Sequence, residues 1–242
     1  MKKVKNLISR LLPSMKYSID PMSTHSEFLE ATIKFALTQV SGEEKLFLIE
    51  IGTGGKSSEI MRRVTEEKEN VELTSFENDS KWIETYRTKF GPHKRHEICQ
   101  IGEIDDWERQ ITKKLKSIPT NSIIISFIDS APWESRVVSL NLLKDVSQIV
   151  LIHDVDYFPH NKIFGIEKEA IKFKAKNRFN YGKLDSNNLG VRTYDEEFRH
   201  WVEVFPITPG YYTGPPTLIG SNRIQISQIN LGVNSIIQNR SS

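Results

Sequence analysis

From Leu46 onward, short apolar runs alternate with amphipathic segments, and this alternation restricts the chain more than any other feature of it. Residues 46–51, 71–76, 96–101, 122–128 and 148–153 read as strands, and helical patterns begin near Lys56, Asp79, Ile104, Pro132 and Ile166. Parallel neighbours need a crossover that packs back over the sheet, so the alternation predicts a parallel sheet with helices on both faces. The ending breaks the rhythm. Residues 201–205 and 217–226 also read as strands, but the Pro- and Gly-rich stretch 206–215 between them has no room for a crossover helix, so these two should pair antiparallel. The expected fold is a doubly wound α/β sheet of about seven strands, mostly parallel, with an antiparallel C-terminal hairpin strand.

Ahead of the sheet, Thr24 and Glu27 have capping-box spacing, and Leu29, Ile33, Ala36 and Val40 recur at helical spacing until Ser41 and Gly42 end the pattern. Residues 1–12 place Val4, Leu7, Ile8 and Leu11 on one helical face and Lys2, Lys3, Lys5 and Arg10 elsewhere, before Pro13. That segment is too polar for a secretory signal. It is expected to dock on its own domain or on the twin subunit of a homodimer, with peripheral membrane contact as the other reading. The division is therefore an amphipathic extension, 1–23, and one domain, 24–242, whose last dozen residues, rich in Asn, Ser and Gln, are expected to fray.

Charge is nearly balanced, 33 basic residues against 31 acidic, which argues against a generic nucleic-acid binder. A single cysteine, Cys99, excludes an intrachain disulfide or a thiolate-built zinc site and fits a reducing, cytoplasmic setting. No apolar stretch approaches the ~20 residues of a membrane span.

The first strand breaks into glycines at residues 50–55, Glu-Ile-Gly-Thr-Gly-Gly, followed by Lys56, Ser57 and Ser58. Glycines here allow a sharp turn and close approach of backbone to a ligand. A phosphate loop requires glycine where Glu50 stands, and a carboxylate would repel phosphate. A G-x-G-x-x-G dinucleotide site requires glycine where Ser57 stands. Glu50 before the turn and Glu77 at the end of the second strand suit a ligand with no phosphate to neutralise there.

At this turn, at Ser75-Phe-Glu77 and in the terminal antiparallel pair, the chain resembles the class I S-adenosylmethionine-dependent methyltransferases, with a Rossmann-like sheet, over residues 24–226. The resemblance implies that Gly52, Gly54 and Gly55 pass under the methionine and ribose of the cofactor and that Glu77 accepts from both ribose hydroxyls. Glu50 then meets the ammonium or orients the loop, and Lys56, Ser57 and Ser58 meet the carboxylate. Asn78 and Trp82 flank the adenosine, with a core anchor as the alternative for Trp82, and Ile101, Gly102 and Glu103 lie near adenine.

Strand ends on the carboxyl edge of such a sheet carry the ligand contacts. Asp129 ends the fourth strand, and His153 and Asp154 end the fifth. These two segments look like the branch with sugar and small-molecule O-methyltransferases and cephalosporin hydroxylase-like proteins. That likeness implies a divalent cation, magnesium or manganese, on Asp129, His153 and Asp154, activating a substrate hydroxyl. Without a metal, His153 becomes the general base. The alternative is that Asp129 only holds the cofactor's methionine end and His153 only hydrogen-bonds the sheet edge. Residues 156–200 carry interleaved aromatics, lysines and arginine, which would favour an anionic substrate if that face turns inward. The function expected is O-methylation of a small molecule or glycan precursor. The alternatives are a nucleic-acid methyltransferase, which residues 129–133 match only faintly, and a non-catalytic binding protein with the same fold.

Overall fold

A computed structural model describes residues 24–155, 194–195, 197–208, 212–213, 216–231 and 235–239. In chain order the elements are α1 (Ser26–Gln39), β1 (Leu46–Ile51), α2 (Ser57–Glu67), β2 (Val71–Glu77), α3 (Ser80–Phe90), β3 (His96–Gln100) and α4 (Ile104–Ser117). Then come β4 (Ile123–Ile128), α5 (Trp133–Leu143), β5 (Ile149–His153), β6 (His200–Thr208), β7 (Tyr212–Thr213), β8 (Thr217–Ser221) and β9 (Ser235–Asn239). The amphipathic segment 1–12 and the basic aromatic segment from 156 to 193 lie outside the described residues.

The strands form one sheet in the order β3-β2-β1-β4-β5-β8-β6, with β7 extending the hairpin and β9 pairing with the far edge of β6. β1 to β5 are mutually parallel. β8 runs antiparallel to both β5 and β6, so the strand order and the antiparallel close match the expected doubly wound fold. β9 is a departure: residues 235–239, expected to fray, pair in register with β6 from Val202 to Pro206. Backbone pairing to a free sheet edge needs no apolar side-chain pattern, which is why composition misread this segment.

Side-chain parity along each strand sorts the core into two faces. Phe47, Ile49 and Ile51 of β1 pack with Trp107, Ile111, Leu140 and Leu143 beneath α4 and α5. Leu46 and Leu48 pack on the opposite face with Phe28, Leu29 and Ile33 of α1 and Ile60 and Met61 of α2. Both faces are covered, so every residue of β1, β4 and β5 is buried.

The helix starts are local. Asp79 caps α3, its carboxylate accepting from the backbone N–H groups of Lys81 and Trp82. The expected capping box at Thr24 and Glu27 does not form. His25 occupies the cap position of α1, and the Thr24 hydroxyl is buried with no hydrogen-bond partner among the described residues. Tertiary burial of these two residues against the sheet edge has displaced the local motif.

Candidate functional site at the carboxyl edge of the sheet

The strand order reverses between β1 and β4, and there the chain leaves β1 through Gly52. Gly52 has φ +86°, and a Cβ on it would stand 2.6 Å from Ser130 Cα and 2.7 Å from the Asp129 carbonyl oxygen. Its glycine requirement therefore comes from the protein's own β4 end rather than from a ligand. A Cβ on Gly54 would meet the Ser57 side chain, its hydroxyl at 2.7 Å, and a Cβ on Gly55 would meet nothing within 4 Å. Of the three glycines, Gly55 is the one whose exposed face borders open space.

Glu50 is fully buried. Its parity on β1 points it to the face covered by α1 and α2, where Oε1 accepts from the hydroxyls of Ser57 at 2.8 Å and Ser58 at 2.6 Å. Oε2 accepts from the Ser75 hydroxyl at 2.6 Å. Expected contacts of the Ser57 and Ser58 hydroxyls with a ligand carboxylate are thus replaced by contacts with Glu50, while Lys56 turns outward to Glu59 at 3.5 Å. Of the two roles open to Glu50, this geometry gives it the loop-orienting one.

Behind Ser75 the hydrogen bonds acquire a direction. Burial, reinforced by Arg62, pushes His96 down to about 3, so its ring is neutral. Arg62 Nη1 is a donor and lies 3.3 Å from His96 Nδ1, which makes Nδ1 the acceptor and leaves the proton on Nε2. Nε2–H then donates to Ser75 Oγ at 3.0 Å, and Ser75 donates to Glu50. Burial raises the Glu50 carboxyl and the three serine hydroxyls lower it, with a net rise from 4.5 to about 7.

Glu77, at the end of β2, is also buried. Oε2 accepts from the Thr53 backbone N–H at 2.7 Å and the Thr53 hydroxyl at 2.8 Å, and Oε1 accepts from the N–H groups of Asn78 and Asp79, both at 2.8 Å. These four bonds fill the acceptor positions of a carboxylate. Glu77 thereby ties the turn after β1 to the turn after β2, a link through Thr53 that its sequence position did not signal. Trp82 is half exposed, which rules out the core-anchor alternative. Ile101 is buried in the core beneath α4, and Gly102 and Glu103 are exposed beside it.

Beyond β4 and β5, Arg136 organises the edge. From α5 it donates to the Ser130 carbonyl at 2.7 Å, the His153 carbonyl at 2.5 Å and Asp129 Oδ1 at 2.8 Å while only 4% exposed. Nothing in the local sequence distinguishes this arginine from a solvated one. Burial is the main influence on Asp129 and raises it to about 7, with Asp154 adding to the rise, against the pull of Arg136. His153 has Nδ1 3.2 Å from Thr217 Oγ1 and Nε2 3.5 Å from Asp154 Oδ1. Asp154 itself has a left-handed backbone, φ 53°.

The expected cation ligands were Asp129, His153 and Asp154. The donor atoms that converge are instead those of His25, Asp129 and His153, all within 4.8 Å of one another. Parity explains this: residues 125, 127, 149 and 151 point to the α1 face, and Asp129 and His153 continue those rows. α1 begins at the same edge, bringing the His25 ring to 4.9 Å from Phe127 and 4.6 Å from His153. Sequence reasoning missed His25 because only the sheet brings residues 25 and 153 together.

No family model and no curated protein matches this sequence. Among solved structures, the chain is similar to a probable spermidine synthase from Corynebacterium glutamicum, with TM-score 0.49 and 15% identity over 90% of this chain and 76% of that one. It is similar to a putative methyltransferase from Thermobifida fusca, with TM-score 0.48 and 12% identity over 92% and 88% of the two chains. It is also similar to the O-methyltransferase TomG from Streptomyces achromogenes, with TM-score 0.45 and 14% identity over 90% and 96%. The doubly wound α/β fold of this chain is established by its own strand order and pairing.

Proposed function

We propose that this protein is an S-adenosylmethionine-dependent methyltransferase acting on a hydroxyl of a small molecule or glycan precursor. The observation that carries the reading is the link between the glycine turn after β1 and the buried acid at the end of β2, at the point where the strand order reverses. When bound, the cofactor supplies an electrophilic methyl group on a sulfonium.

The residues present fit such a ligand at Gly55, where a Cβ would meet no protein atom within 4 Å. Glu77 fits after one adjustment. Its acceptor positions are full, so the Thr53 hydroxyl, the only one of its four donors on a rotatable side chain, swings away to admit a ribose hydroxyl. Lys56, Asn78, Gly102 and Glu103 line the neighbouring turns. The Glu50–serine network keeps the turn in place without touching the ligand. With no metal bound, His153 is the base that takes the acceptor hydroxyl proton, and Arg136 keeps Asp129 beside it. Alignment of the acceptor oxygen with the methyl group supplies most of the acceleration.

Calorimetric titration with S-adenosylmethionine tests the reading. The parent is expected to bind, and Glu77→Ala to bind at least about tenfold more weakly, since hydrogen bonds to a charged acceptor contribute about 1.5–3 kcal/mol each. Gly55→Val should abolish binding with its melting temperature unchanged. Absence of heat with the parent, or parental affinity in Gly55→Val, rejects the proposal.

A further inference from the structure

We propose that His25, Asp129 and His153 form a binding site for one divalent transition-metal ion of the zinc or cobalt class. The three side chains come from the start of α1 and the ends of β4 and β5, and their donor atoms lie within 4.8 Å of one another. Donors on one tetrahedral ion, each bonded at about 2.0–2.2 Å, stand about 3.5 Å apart. Side-chain rotations that move the donors by less than 1 Å therefore bring all three into coordination range.

A second observation points to a ligand. The His25 ring is 3% exposed, and neither of its nitrogens has a hydrogen-bond partner among the described residues. Its neighbours are the Phe127 ring and the His153 ring. A buried imidazole without partners is costly to keep, and an ion shared with Asp129 and His153 removes that cost. His153 is prepared for the same role. Thr217 stands at Nδ1 and Asp154 at Nε2, so either nitrogen can have its proton held while the other faces an ion.

Two imidazoles and one carboxylate suit zinc, cobalt or a similar borderline ion and disfavour magnesium and calcium, which prefer all-oxygen shells. Three protein ligands also leave a coordination position for a small oxygen ligand. The site adjoins the Gly52 turn through the Asp129 and Ser130 backbone, so such a ligand would sit in the crevice between β1 and β4.

The site shares Asp129 and His153 with the methyltransferase reading but does not require the cofactor, and cobalt(II) titration of the metal-stripped full chain, followed by visible absorption, tests it. One equivalent is expected to bind with an intense d–d band, zinc is expected to displace it, and a hundredfold excess of magnesium is not. His25→Ala should weaken cobalt binding at least tenfold. His25→Phe, which fills the socket beside Phe127 without nitrogen, should do the same while keeping the far-ultraviolet circular dichroism of the parent. Parental cobalt affinity in His25→Phe, no cobalt band in the parent, or displacement by magnesium overturns the proposal. Binding of S-adenosylmethionine by calorimetry is read separately and decides only the other reading.

Discussion

Replacing Glu50 by glutamine isolates the energetic consequence of burying a carboxylate under three serine hydroxyls. The carboxyl is raised from 4.5 to about 7 in the folded protein. A raised value means the folded state holds its proton where the unfolded state has lost it. The stability this contributes is complete below about pH 4.5 and is lost as the pH rises through about 7. At about 1.4 kcal/mol per pH unit the full change is about 3 kcal/mol, of which about 2.5 kcal/mol falls between pH 5 and pH 8. Glutamine cannot titrate, so Glu50→Gln removes this slope. It also replaces the single O–H of the protonated carboxyl with a two-hydrogen amide among three serine hydroxyls that all donate, and is expected to be less stable than the parent by about 1–3 kcal/mol at pH 5. Urea unfolding followed by tryptophan fluorescence measures both proteins across the range, and their difference cancels every other titrating group. The gap should shrink by about 2.5 kcal/mol towards pH 8. A gap constant with pH, or one that widens, refutes the reasoning.

Gly52→Ala combines a φ of +86° with a Cβ 2.6–2.8 Å from the backbone of Asp129 and Ser130, and should cost at least about 3 kcal/mol in urea unfolding. Gly55→Ala, with nothing within 4 Å of the new carbon, should stay within about 0.5 kcal/mol of the parent. Arg136→Met removes donors to Ser130, His153 and Asp129 and leaves the acid without its cation, a loss of about 3–5 kcal/mol; amide exchange should show faster opening at residues 129 and 153 than in β2.

Most of the scaffold was legible because its signals are local. The apolar runs at β1, β4 and β5 appear within a residue of their observed bounds, since strands buried on both faces read as continuous hydrophobic segments. The antiparallel pairing of β6 with β8 was legible from the shortness of the segment between them. β9 was not, because an edge strand held by backbone pairing carries no obligatory side-chain pattern. At the site, Glu50, Glu77, Asp129 and His153 were recognisable by their place at strand ends. Arg136 and His25 were not, because their partners are distant in sequence.

The sequence by itself determined a doubly wound sheet with a glycine break and acids at its carboxyl edge, since crossover length and residue parity follow from local chain geometry. Only the tertiary structure decided what those residues face. It turned Ser57 and Ser58 inward onto Glu50, filled Glu77 with the neighbouring turns, gave Gly52 to the β4 backbone and brought His25 to Asp129 and His153. These contacts depend on how α1 and the ends of β4 and β5 meet in space, and burial, which gives them their strength, exists only once both faces of the sheet are covered.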